Sequence, residues 1–90
     1  MRIEANEIDM SNAAQIAAEG VAAIRAGDAA FDLSAVRSCD SSAVAAVLAW
    51  QREAQARGVA LELAGLPAGL VSLAGVYGVA SLLMLEGAGD

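Results

Sequence analysis

The stretch Phe31-Asp32-Leu33-Ser34-Ala35-Val36-Arg37-Ser38-Cys39-Asp40-Ser41-Ser42-Ala43 decides how this chain is read. Ala29–Leu33 is a short apolar run that suits a buried strand. Ser34 to Cys39 reads as a loop. Asp40-Ser41-Ser42 then opens an alanine-rich helix, expected from Ser41 or Ser42 to Arg57, with Gly58 as its stop. One carboxylate and two hydroxyls therefore stand at a strand-to-helix junction. Free backbone N–H groups and the helix dipole favour anions and hydroxyl chemistry at such a place.

Two readings of these residues stay open on local physics. Asp40, Ser41 and Ser42 are all good N-caps, and any of them can simply close the helix. Alternatively, Ser41 is a phosphoacceptor. A phosphoryl group there would meet backbone donors, yet the Asp40 carboxylate beside it would repel it, and a docked partner could be ejected. A hydrolytic Ser41 has no support. The chain has no His and no Lys, and it lacks a GxSxG elbow. Cys39 is the only cysteine, so no intrachain disulfide forms and a reducing compartment fits. Without a His to activate it, Cys39 reads as a small apolar residue beside a turn.

Upstream, residues 2–5 alternate polar and apolar as a short strand would, and Asn6 to Asp9 read as a turn. Ser11 is expected to cap a helix that runs to about Ala26 and stops at Gly27. Ala13, Ile16, Ala17, Val21 and Ile24 form its apolar stripe. Gly20 inside that helix costs about 1 kcal/mol relative to Ala, which close packing against a neighbour would offset.

Downstream, Val44, Val47, Leu48 and Gln51 share one face of the long helix, and Ala43, Ala46, Trp50 and Ala54 an adjacent one. Trp50 is either ordinary core or an interface anchor, since Trp is enriched at binding hot spots. Val59–Leu63 reads as a strand and Ala64–Pro67 as a turn. A third helix extends to about Tyr77, with Leu70, Leu73, Ala74 and Tyr77 at helical spacing and Gly78 as its stop. Val79–Leu85 is a final short strand or coil, and residues 86–90 are expected to fray. This β-α-β-α-β-α order predicts an α/β fold with a mostly parallel sheet. Ninety residues fit one compact domain, taken as 1–90.

Composition removes whole classes of function. The net charge is −6, and the five basic residues are scattered, so no basic stripe could hold nucleic acid or an anionic membrane surface. The carboxylates are dispersed, and with no His neither a metal cage nor an acid/base pair is indicated. The glycines form no GxGxxG motif or P-loop, and no cofactor is expected. Leu63 to Leu85 carries no charge and is long enough to span a bilayer. Five glycines or prolines between Gly65 and Gly78 interrupt it, and acidic Glu62 and Glu86 flank it, which argues against a span. The N-terminus shows no apolar leader segment. The hydrophobic fraction of 58% is high for a small soluble domain. It implies either a core of small residues or an apolar face kept for a partner.

Several motifs together resemble the STAS family, small regulatory domains of the anti-sigma-factor-antagonist type. Glu7-Ile8-Asp9 looks like the family's Glu-Leu-Asp before the first helix. Asp32-Leu33-Ser34-x-Val36 looks like its Asp-Leu-Ser strand end. Asp40-Ser41-Ser42-Ala43 looks like its Asp-Ser/Thr-x-Gly switch, with Ser41 at the position phosphorylated in the anti-sigma antagonists. Ala46–Ala54, Gly58, Gly65-Leu66-Pro67, Leu73-Ala74, Tyr77-Gly78-Val79 and Leu82-Leu83 are similar to the STAS subunits of Mla-type phospholipid-transport ABC complexes. The resemblance implies a noncatalytic, cytoplasmic subunit, peripheral to the inner membrane through its partner. That partner would be the transporter's ATPase subunit, contacted at Asp40, Ser41, Ser42 and Trp50. The alternative is an antagonist that meets an anti-sigma factor kinase and is switched at Ser41. Two departures stand out. Ala43 replaces the usual Gly, and the family's first strand is shortened or missing. The latter would leave a sheet edge for a partner or a second copy to cover, as in a homodimer.

Overall fold

The computed structural model describes residues 1–76. Its elements are β1 (Glu7–Ile8), α1 (Ala13–Arg25), β2 (Ala30–Asp32), β3 (Ser38–Cys39), α2 (Ser41–Ala56), β4 (Glu62–Ala64) and α3 (Ala68–Val76). The fold is α/β, and among the described residues the strand pairs are parallel. β1 pairs with β3, and β2 pairs with β4.

The N-terminal strand expected over residues 2–5 is reduced to a single parallel bridge, Arg2 with Asp32. Regular pairing resumes at Glu7–Ile8, which the sequence reading assigns to a turn, against Ser38–Cys39, which it assigns to a loop. The two pairings differ in register. Arg2 faces Asp32, 30 residues on, whereas Glu7 faces Ser38, 31 residues on. Between the two stretches the Asn6 carbonyl accepts from both Arg37 N–H (2.7 Å) and Ser38 N–H (3.3 Å). Between Asp32 and Ser38 the opposing stretch turns at Ser34 and Ala35, where Val36 N–H bonds the Leu33 carbonyl at 3.0 Å, so the two pairings stay separate.

Both long helices stop in the same way. The Gly27 N–H bonds the Ile24 carbonyl and Asp28 N–H the Ala23 carbonyl; Gly58 N–H bonds Gln55 and Val59 N–H bonds Ala54. These are Schellman closures, with left-handed glycines at φ 101° and 68°. The second closure engages Val59 in ending α2, and pairing begins only at Glu62, whose N–H reaches the Ala29 carbonyl at 2.8 Å. The third strand therefore sits at Glu62–Ala64 rather than at Val59–Leu63.

Ser11 does not cap α1. Asp9 Oδ1 holds both its N–H (2.9 Å) and its hydroxyl (2.5 Å). Asn12 occupies the cap position, and its amide instead ties β1 to the helix, donating to the Glu7 carbonyl at 2.8 Å and accepting from Asp9 N–H at 2.9 Å. The reading of Val79–Leu85, of Tyr77 as a helix residue and of Gly78 as its stop lies outside the described residues.

The core joins Ile8 and Phe31 of the strands, and Ile3, Leu33 and Val36 of the stretches beside them, to helix residues Ile16, Ile24, Val44, Val47, Trp50 and Leu70. Trp50 lies at its centre. The indole meets Phe31 edge-on, with centroids 4.9 Å apart and planes at 88°, and donates from Nε1 to the Ala17 carbonyl at 3.1 Å. Gly20 makes room for it. A Cβ there would lie 2.5 Å from Trp50 Cε2 and 2.6 Å from Cδ1, so the glycine in α1 is the close contact with α2. At the far ends of the helices, Glu53 of α2 takes Arg25 of α1 (3.2 Å) and Arg57 of its own helix (2.8 Å).

Candidate functional site

The junction between β3 and α2 is built by one carboxylate. Asp40 sits in extended backbone as the N-cap and accepts from Ser42 N–H at 2.8 Å. The same oxygen accepts a short hydrogen bond from the Ser42 hydroxyl. The Ala43 N–H closes the turn onto the Asp40 carbonyl at 3.0 Å. Asp40 is therefore the helix cap, and Ser42 is consumed in holding it.

Ser41 is left at the head of the helix. Its side chain is exposed, and among the described residues its hydroxyl takes no hydrogen bond. The neighbouring Asp40 carboxylate is engaged by Ser42 rather than by Ser41. Ala43, where the motif has Gly, is fully buried. Its methyl group points into the core and does not obstruct the surface. Cys39, half-buried just before the junction, has its thiol pushed above the ordinary value of 9.0, first by burial and then by the Asp40 charge.

α1 begins with the same device, Asp9 holding Ser11. The first turns of the two helices flank an open groove lined by Met10, Ala13, Ala14 and Ala17 on one side and Ser42, Ala45 and Ala46 on the other. Met10 is 87% exposed, a large apolar side chain in water. The sequence reading does not include this groove. The signal that could have exposed it is an apolar residue in the Asp9–Asn12 turn, opposite small alanines on α2. Trp50 is not part of this surface. It has no exposed area, which is the core position that the sequence also allows it. Its size and its Gly20 seat place it between the two helices, where it sets their spacing.

Among the described residues no three His, Cys, Asp or Glu side chains converge where they could hold a metal ion. No described helix is long and apolar enough to cross a membrane. The described part of the uncharged segment after Glu62 is instead strand, turn and helix. The arrangement can present a hydroxyl and an apolar groove to another molecule.

A chain of parallel strands alternating with helices, with a capped Asp-Ser-Ser helix start on its surface, is a small α/β domain. A family model described as the Mlab, STAS domain matches residues 5–86, nearly the whole chain, and the chain belongs to the STAS domain family. No curated protein matches it.

Proposed function

We propose that the chain is a noncatalytic STAS subunit that docks on the ATPase subunit of an Mla-type phospholipid-transport ABC complex, the system that maintains outer-membrane lipid asymmetry. The observation that carries this reading is the state of the α2 head. Asp40 and Ser42 satisfy each other, Ser41 stands exposed, and a groove of small side chains runs beside it. That is a contact surface without a reaction centre. The Mlab description of the matching family favours the transporter branch. On this reading Ser41 and the groove meet the ATPase, Asp40 positions the helix start, and the chain sits on the cytosolic side of the inner membrane through that partner.

The test is an affinity pull-down of tagged chain from its native cells, with Ser41→Glu alongside. Recovery of an ABC ATPase with its permease, lost for Ser41→Glu while circular dichroism remains native, is the expected result. Undiminished ATPase recovery by the folded variant removes Ser41 from the contact. The second reading is an anti-sigma-factor antagonist, favoured by the exposed and unengaged Ser41 hydroxyl at a helix N-terminus. It predicts recovery of a kinase-type anti-sigma factor, and phosphoserine at Ser41 in native protein by mass spectrometry.

A further inference from the structure

We infer that the outer edge of residues 2–5 is a self-association surface, on which a second copy of the chain pairs antiparallel about Ile3. The inner edge of this stretch is engaged. The Asp32 N–H bonds the Met1 carbonyl and Ile3 N–H bonds the Asp32 carbonyl, both at 2.9 Å. In extended backbone, successive residues direct their N–H and C=O groups to opposite edges. Met1 and Ile3 therefore serve Asp32, while Arg2 and Glu4 turn theirs outward. No described residue pairs with them there. Ile3 points into the core at 3% exposure, and the Arg2 and Glu4 side chains are 56% and 84% exposed.

The order of charges selects both the partner and the register. Antiparallel pairing that matches outward-facing residues has three neighbouring solutions. Centring on Arg2 opposes two guanidinium groups, and centring on Glu4 opposes two carboxylates. Centring on Ile3 opposes Arg2 to Glu4 of the other copy, and does so twice by symmetry. Each of those pairs can exchange both backbone hydrogen bonds while its side chains attract. The edge is thus complementary to itself in one register and repels itself in the two beside it. Within one copy the Arg2 guanidinium already lies 3.4 Å from Glu4 and 3.8 Å from Asp32, so the charges stand at this edge before association. The strand stretch is short, so the dimer is weak and forms at high local concentration.

Sedimentation equilibrium of the whole chain from micromolar to millimolar concentration tests this, with circular dichroism as the check on folding. Wild type is expected to shift from monomer towards dimer. Arg2→Glu places carboxylates opposite one another in every register and should weaken association about tenfold or more. The swapped chain, Arg2→Glu with Glu4→Arg, restores opposite pairing and should recover the wild-type curve. A wild type that stays monomeric throughout overturns the inference. So does an Arg2→Glu chain that associates as wild type does, or a swapped chain that fails to recover.

Discussion

Each aspartate among the described residues ends a segment by accepting the backbone N–H two residues further on: Asp9 from Ser11, Asp28 from Ala30, Asp32 from Ser34 and Asp40 from Ser42. This Asx geometry is a local property of Asp, because its short carboxylate reaches the i+2 donor and competes with regular structure. In three of them the consequence for the proton is clear. Ser11 donors hold Asp9 below its ordinary 3.8, the N-terminal ammonium holds Asp28 below it, and Ser34 donors hold Asp32 below it. The native state therefore favours the ionised form of each. Its contribution is complete above the unfolded value of 3.8 and disappears as pH falls through the lower folded value. Asp32→Asn keeps the acceptor oxygen and removes the charge. Its urea midpoint is expected to fall less steeply than wild type below pH 4, and matching acid limbs would count against this account. Asp40→Ala removes the cap of α2 and should lower stability by about 1 kcal/mol, read from the shift in urea midpoint at unchanged slope.

Pairs of elements carry the stability that a short chain finds hard to assemble. α1 and α2 are joined partway along by Trp50 in the Gly20 gap and, nearer their C-terminal ends, by Glu53 between Arg25 and Arg57. Gly20→Ala drives a methyl group into the indole and should cost about 1–3 kcal/mol in chemical denaturation, since a packed core yields little. A neutral or stabilising result would mean that α1 can move away from α2. The Glu53 carboxyl is held below its ordinary 4.5, by Arg57 first and Arg25 second. Its contribution is present above 4.5 and is lost as pH falls through the folded value, so Glu53→Gln should flatten the stability curve on the acid side and respond less to salt. The helices were legible in the sequence because their signals are local: Asp40 before α2, glycine after α1 and α2, and the Gly20 gap that only close packing could offset. The strands were legible only in part: β2 falls inside the expected Ala29–Leu33, whereas the others shift or appear where none is expected. Val59 looks like strand but belongs to a helix closure, and Glu7–Ile8 looks like turn but pairs with residues 31 positions away. A difference of one residue in register leaves no mark on either strand's own sequence.

At the scale of the whole molecule, the parallel pairs place the first turns of α1 and α2 side by side, and the candidate surface exists only through that juxtaposition. Asp40, Ser41 and Ser42 could be found from the chain alone. Met10 and the alanines across from Ala45 could not, because their helices are separated by β2 and β3 and meet only after folding. Met10→Asp should leave the fold intact, since the residue is already in water, and should weaken recovery of the partner along with Ser41→Glu. Retained recovery would confine the contact to the α2 head. The buried Trp50 has a use of its own as an optical gauge. It is the sole tryptophan, sealed from solvent, touching both helices and lying more than two turns from Ser41. Its emission therefore reports the separation of α1 and α2 and is blind to events at the helix head. A partner that settles on the surface without moving the helices will leave the spectrum unchanged. One that wedges them apart will admit water to the ring and shift the emission to the red, so a cuvette titration can tell a passive platform from a part that opens.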